Sequence, residues 1–346
     1  MDYLPGREIS RSDLRNADAL ITRTRTRCDR ELLEGTPVKY IASATIGYDH
    51  IDTAYCHAAG IGWTNAPGCN SSSVEQYLLS VLLYLSGRGR PDLSGVTLGV
   101  VGAGHVGSRV ARAAKALGME VLINDPPRQR KEGDEGFTAL EALLELSEVV
   151  SLHVPLNIEG PDSTYHMAGE AFFSRMKEHS ALINTSRGPV VDQGALIDAI
   201  RSGKVRHAVL DVFENEPEVN LELLELITLG TPHIAGYSAD GKAGGTTMAV
   251  RAVSRHFRLG LDGWEPESLP LPADPVLETD TFSGNQLDLI RELYFRTYDV
   301  SEDDRRLRSE PGAFERLRGA YPLRREPKAY TVRLKTKHRE AEKLLR

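Results

Sequence analysis

Cysteine is scarce in this chain, with only Cys28, Cys56 and Cys69 among 346 residues. They form no CxxC pair and have no histidine at zinc spacing, and an odd number cannot close into a disulfide framework. A disulfide-stapled scaffold is excluded, no metal site is expected, and a reducing, cytoplasmic setting is the simpler expectation. Long apolar runs are missing too. The longest, YLLSVLLYL at 77 to 85, falls far short of the ~20 residues a bilayer span requires and reads as a buried helix. The amino terminus, MDYLPGREISRSDL, has acid and proline where a signal peptide has an apolar core. Basic excess is absent: the formal net charge of -7 argues against nucleic-acid binding, which needs a positive surface. No repeat or low-complexity tract stands out, and 40% hydrophobic with 26% charged residues is ordinary for a folded soluble chain.

What is present is an alternation of strands and helices. ALIT at 19 to 22 and VKYIASA at 38 to 44 read as strands around a helix-like CDRELLEG, and SSSVEQYLLSVLLYLSG from Ser71 reads as a long helix stopped by Gly87. RGRPDL marks a first boundary. Beyond it VTLGVVG, EVLINDPP, VVSLHVPL, SALINTSRG and HAVLDVF each run from apolar residues into turn residues, the pattern of a doubly wound parallel α/β sheet. A helix is expected through MAVRAVSRHFRLGLDG, then a proline-dense linker, WEPESLPLPADP. The remaining Arg- and Glu-rich segment reads as a small α/β accessory module whose charge runs are solvated faces.

Ligands of such sheets sit beyond the carboxyl ends of the strands, at Gly102, Asp125, Val154, Arg187 and Asp211 here. GAGHVG at 102 to 107 places Gly102, Gly104 and Gly107 between an apolar strand and an amphipathic helix, where backbone N–H groups meet a pyrophosphate. The next strand, VLIND, ends at Asp125, whose carboxylate suits the ribose hydroxyls of NAD and would repel the 2′-phosphate of NADP, despite Arg128 nearby.

Three polar residues follow later strands: Arg187 in NTSRGPVVD, Glu216 in LDVFENEP and His233 in TPHIAGYS. Oxidising an alcohol needs a base, for which histidine is suited, a carboxylate to stabilise the imidazolium, and a cation for a neighbouring carboxylate. Arginine grips a carboxylate with two parallel hydrogen bonds. ITRTRTR at 21 to 27 offers Arg23, Arg25 and Arg27 beyond the first strand; if the run stays extended, either the arginines or the threonines point together, and a phosphate site and a solvated basic edge are equal readings. Lys242, in the loop after Tyr237, is a second phosphate candidate.

Taken together, GAGHVG, NTSRGPVVD, LDVFENEP and TPHIAG resemble the D-isomer-specific 2-hydroxyacid dehydrogenases, in order, over about residues 17 to 260. The resemblance implies that Arg187, Glu216 and His233 are catalytic. It also implies a Rossmann-type NAD-binding domain at 89–236, a discontinuous flavodoxin-like substrate domain at 1–88 and 237–275, and a carboxyl-terminal domain at 276–346. ASATIGYDHID, TNAPGCNSSSVEQY and TPHIAGYSADGKAGGT are most similar to a member that acts on a small phosphorylated hydroxyacid and forms a homodimer through its tail. From that resemblance Thr24, Thr45 and Tyr237 match substrate positions, and His105, Val106, Asp125, Val154, Thr185, Asp211 and Gly236 match cofactor positions beside the glycines. It further implies a short strand and helix ahead of YLPGREIS, so a substrate domain lacking its first strand is expected. Another hydroxyacid dehydrogenase, or an NAD(H)-sensing scaffold like the corepressors of this fold, is the alternative.

Overall fold

The computed structural model describes residues 2–6, 8–87, 92–279 and 285–334. The chain gathers into two units: one of residues up to Ser71 with Ser238–Pro270, the other of Ser72–Tyr237 with the chain from Leu271. This grouping differs from the boundaries expected at 88/89 and 275/276. The break expected at RGRPDL falls largely on residues 88–91, which lie outside the described residues, as do those beyond 334 of the carboxyl-terminal segment.

The first unit holds three parallel strands, β1 (Ala19–Thr22), β2 (Tyr40–Ser43) and β3 (Gly62–Thr64), in the order β1-β2-β3. No strand precedes β1 among the described residues. Asp29 and Asp52 start the helices Arg30–Leu33 and Thr53–Ala58 by accepting the Leu32 and Tyr55 N–H groups, freeing Leu32, Leu33 and Cys56 to bury against Leu20 and Ile41.

Ala42 and Ala44 meet Ala249 of the helix Ala239–Phe257. That helix begins nine residues before the expected MAVRAVSRHF, so Lys242 sits on a helix and not in a loop. Glycines that read as breakers serve packing instead. A Cβ on Gly245 would stand 2.2 Å from the Ala44 carbonyl oxygen, and one on Gly244 3.0 Å from that of Cys69. Ser238 caps the start by accepting the Gly241 N–H at 2.7 Å.

The second unit carries six parallel strands: β4 (Thr97–Val101), β5 (Glu120–Asn124), β6 (Val149–Leu152), β7 (Ser180–Asn184), β8 (Val205–Leu210) and β9 (Leu229–Gly230). Their order is β5-β4-β6-β7-β8-β9, so the winding reverses between β4 and β6. Every residue of β6 and β7 is buried, because helices cover both faces; this is why these strands read as continuous apolar runs. Phe172, Phe173 and Leu196 cover one face, and Tyr77, Val81, Leu82 and Val110 the other. The helix Ser71–Ser86 is buried nearly all round, Ser73, Gln76, Ser80 and Ser86 included, and from Ser72 on it is core of this unit.

The carboxyl-terminal segment adds two parallel strands, β10 (Val276–Thr279) and β11 (Thr331–Leu334), and the helices Gln286–Thr297, Val300–Ser309 and Phe314–Gly319. Leu277, Leu289, Leu293 and Tyr294 pack on Leu79, Leu83 and Ala113, which is why this segment groups with the larger sheet. Its charged residues are not all solvated, as the sequence suggested. Arg324, Arg325 and Glu326 are 5%, 9% and 3% exposed, and Glu326 accepts the Ser73 hydroxyl at 2.9 Å. No helix among the described residues is long and apolar enough to cross a membrane.

Candidate active site

The glycine turn lies at the switch point of the larger sheet. Gly102 follows β4 with φ +87, and a Cβ there would come within 2.8 Å of the His153 carbonyl beyond β6, so only glycine fits. Gly107 lies in the first turn of the helix His105–Ala116, where a Cβ would stand 1.9 Å from the Gly102 carbonyl oxygen; its absence lets helix and strand touch. Gly104 differs. It is the helix N-cap, no side chain caps the helix, and a Cβ would meet nothing within 4 Å. The start of the helix is therefore uncapped and open at Gly104, and the bare backbone suits the close approach of a pyrophosphate. His105 is exposed beside it and Val106 is half-buried.

Asp125 ends β5 and turns back on the glycine turn, its Oδ2 accepting the Ala103 N–H at 2.8 Å and its Oδ1 the Arg128 N–H at 3.0 Å. Each oxygen keeps a second lone pair for a ribose hydroxyl. Arg128 is engaged: Nε and Nη2 pair with Glu132 at 2.9 and 2.6 Å, and Nη1 with the Ala103 carbonyl at 2.6 Å. Glu132 thus offsets the Arg128 charge that a 2′-phosphate would otherwise meet, leaving the Asp125 carboxylate beside the ribose position. Val154 is half-buried after β6, and beyond β7 the Thr185 hydroxyl oxygen is buried with no partner among the described residues. An orphaned hydroxyl in such a crevice is what a ligand satisfies. These residues fit a dinucleotide.

Arg187 follows β7 on a loop braced by Asn184, whose amide nitrogen donates to the Arg187 carbonyl at 3.0 Å and whose Oδ1 accepts Ser186 N–H and hydroxyl. Gly188 presses on β8's exit; a Cβ there would stand 1.9 Å from the Phe213 carbonyl oxygen. The Arg-Gly pair thus seats Arg187 against the segment that carries Glu216. Glu216 Oε1 accepts the Phe213 N–H at 3.0 Å, and Oε2 lies 2.7 Å from His233 Nδ1. Burial pushes the Glu216 carboxyl up, but the His233 hydrogen bond and charge, the Phe213 N–H and the Arg318 charge outweigh it and hold the group below the usual range. Glu216 is therefore a carboxylate.

His233 sits at φ +55, and its N–H donates to the Asp211 carbonyl at 2.7 Å. The Asp211 side chain holds the same loop, accepting Thr231 hydroxyl, Ile234 N–H and Ala235 N–H at 2.6, 2.7 and 2.8 Å. Burial pushes that carboxyl up to about 6 against the pull of His233 and these donors. Gly236 follows, half-buried, and Tyr237 stacks edge-on with Tyr321 at 6.2 Å beneath Arg318 at 5.5 Å.

The structure thus brings Glu216 and His233 into contact and sets Arg187 on the neighbouring loop. Thr24 and Thr45 belong to the other unit, each just past the carboxyl end of a strand. Thr45 Oγ1 is 2.7 Å from Ser43 Oγ and 2.9 Å from the Gly47 carbonyl. The ITRTRTR run does not stay extended: it turns at 24–26, buries Thr26 with its hydroxyl on the Gly6 carbonyl at 2.8 Å, and leaves Arg27 paired with Asp29 at 3.0 Å. Strict alternation of arginines and threonines is therefore lost. Sequence reasoning missed Arg318, Arg324 and Thr231, whose only signal was a place among residues read as surface or turn.

A model of the D-isomer specific 2-hydroxyacid dehydrogenase NAD binding domain matches residues 85–235, and one of a domain of unknown function matches 271–346. The chain is 48% identical over 330 residues to an erythronate-4-phosphate dehydrogenase of Bacteroides fragilis, covering 95% of this chain and 92% of that one. It is 41% identical to its namesake in Pseudomonas putida, covering 98% and 90%. Among solved structures it is similar to a D-lactate dehydrogenase of Aquifex aeolicus complexed with NAD and lactic acid, with 32% identity, a TM-score of 0.62, and 74% of this chain and 87% of that one covered. Glycine turn, paired Glu and His, and relatedness along nearly the whole chain agree: it belongs to the D-isomer-specific 2-hydroxyacid dehydrogenases, among the erythronate-4-phosphate dehydrogenases.

Proposed function

We propose that the chain oxidises 4-phospho-D-erythronate to 2-oxo-3-hydroxy-4-phosphobutanoate with NAD, a step of vitamin B6 synthesis. The observation that carries this reading is the 2.7 Å contact between Glu216 Oε2 and His233 Nδ1. With Nδ1 committed to a carboxylate, His233 Nε2 is the atom that takes the C2 hydroxyl proton. Glu216 holds the Nδ1 proton and balances the imidazolium formed. Arg187 pairs with the substrate carboxylate and orients C2. Bound NAD supplies the acceptor for the hydride that leaves C2. Gly102, Gly104, His105, Val106, Gly107, Asp125, Val154, Thr185, Asp211 and Gly236 hold it, while Thr24, Thr45 and Tyr237 hold the substrate.

The first unit acts as the substrate domain, the larger sheet as the NAD-binding domain, and the segment from Leu271 joins two copies as a homodimer. Exposed Leu271 and Leu323 support that pairing, and three free thiols suit the cytoplasm. Sedimentation of the purified chain at micromolar concentration tests the dimer. The reaction is tested by NAD reduction with 4-phosphoerythronate, 3-phosphoglycerate and D-lactate. A clear preference for 4-phosphoerythronate is expected; equal or greater turnover of either competitor overturns the substrate.

A further inference from the structure

The loop that carries His233 is held from two sides at one residue. Asp211 Oδ2 accepts the Ala235 N–H at 2.8 Å, and the Ala235 carbonyl accepts from Arg324 Nη2 at 2.6 Å. A carboxylate grips the amide side and a guanidinium the carbonyl side. Two residues earlier His233 adopts a left-handed conformation, which persists in a non-glycine residue only where the surroundings over-determine it.

Arg324 comes from the carboxyl-terminal segment and is 5% exposed. Its Cζ stands 4.5 Å from the centre of the Tyr298 ring and 5.8 Å from that of Tyr321. Both phenols donate to Asp303 Oδ2, at 3.0 and 2.6 Å. Burial pushes the Arg324 guanidinium down, but Tyr321, Tyr298, Asp303 and Asp211 hold it above its ordinary value, so it stays charged. Its Nε and Nη1 have no partner among the described residues, and a buried cation with unanswered N–H groups is costly. An apolar side chain would fill the space between the tyrosines without that cost. What it would lack is the bond to Ala235 and a longer one, 3.4 Å, from the same Nη2 to the Ser73 carbonyl.

We infer that Arg324 is a positioning residue for the dehydrogenase reaction: through the Ala235 carbonyl it fixes the register of the loop Thr231–Tyr237, and so the direction in which His233 presents Nε2. Arg318 of the same segment, stacked on Tyr237, seats the far end of that loop. The carboxyl-terminal segment thereby serves the chemistry of its own chain. The inference rests on the reading of His233 as the base.

Arg324→Met and Arg324→Lys in the full chain test it by steady-state rates and by amide exchange across 231–237. Arg324→Met is expected to lower kcat about tenfold or more with the hydroxyacid KM held within about twofold, since misplacing a reacting group costs rate more than binding. Exchange at Ile234 and Ala235 rises about tenfold while β7 stays protected. Arg324→Lys, which keeps the charge but not the planar fork, restores part of kcat. An unchanged kcat with unchanged exchange overturns the inference, as does exchange that rises throughout the unit together with a raised KM. Should Arg324→Met fail to fold, Tyr321→Phe deletes only one hydroxyl on Asp303; a smaller loss confined to kcat is expected, and wild-type kcat overturns the inference. If the wild type turns over no hydroxyacid, the proposed function fails, and exchange at Ile234 and Ala235 still decides the role of Arg324.

Discussion

At the scale of single residues, the pairing of Glu216 with His233 separates what a carboxylate does from what its shape does. Glu216 is held below the usual carboxylate range, so it stays charged through mild acid. Glu216→Gln keeps an oxygen or nitrogen near Nδ1 at nearly the same volume but removes the charge that balances the imidazolium. A loss in kcat of about 10- to 100-fold is expected at neutral pH, within the range of a general-base contribution. The melting temperature should stay within a few degrees, because the amide still accepts the Phe213 N–H through its oxygen. Full kcat in the variant would show that Glu216 only braces the Phe213 turn. Both members of this pair were legible in the sequence because each follows a strand, and strand ends in a doubly wound sheet converge. Arg324 was not legible, since nothing in RRE distinguishes a buried guanidinium from a solvated one until its tyrosine walls are seen.

At the scale of elements, glycine has two different uses, and two substitutions tell them apart. A Cβ on Gly107 would be driven into the Gly102 carbonyl oxygen, forcing the helix His105–Ala116 off β4. Gly107→Ala is therefore expected to destabilise the chain by about 1–3 kcal/mol, as overpacking does, and to weaken NADH binding as a consequence. Gly104→Ala meets open space and should leave the melting temperature within a few degrees, yet its methyl group stands where the pyrophosphate approaches; NADH affinity should fall at least about tenfold. Thermal unfolding and NADH fluorescence titration read both, and wild-type affinity in Gly104→Ala would remove the backbone-approach argument. The same ambiguity explains one misreading. GKAGG looked like a loop because glycine commonly breaks helices, but Gly244 and Gly245 are there to let the helix Ala239–Phe257 touch the Cys69 and Ala44 carbonyls, a close approach no single-sequence pattern reveals. The strands β1, β2, β4, β5, β6, β7 and β8 were legible from apolar runs ending in turns, whereas β10 and β11, short and charged, carried no such period.

At the scale of the whole molecule, two titrating groups of the larger sheet pull stability in opposite directions with pH. Burial pushes His153 down to about 3, with its Nε2 2.9 Å from the Ser151 hydroxyl. In the unfolded chain its pKa is ~6.5, so below that pH the unfolded state holds a proton the folded state refuses. Its contribution to stability is complete above about pH 6.5 and is lost toward pH 3, at no more than about 1.4 kcal/mol per pH unit. Asp211 is raised to about 6, so from there down to its unfolded value of ~3.9 the folded state holds the extra proton and gains stability as pH falls. Between pH 6 and pH 4 the two largely cancel, and the wild-type curve alone conceals both. Differences expose them. From pH 7 to pH 5, His153→Gln should gain up to about 2 kcal/mol relative to the wild type, and Asp211→Asn should lose about 1 kcal/mol relative to it. Urea unfolding at the two pH values measures each difference, and the opposed signs are the decisive feature: variant and wild-type curves that run parallel would mean that His153 is solvated in the folded chain and that Asp211, despite its place under the His233 loop, titrates as an ordinary carboxylate.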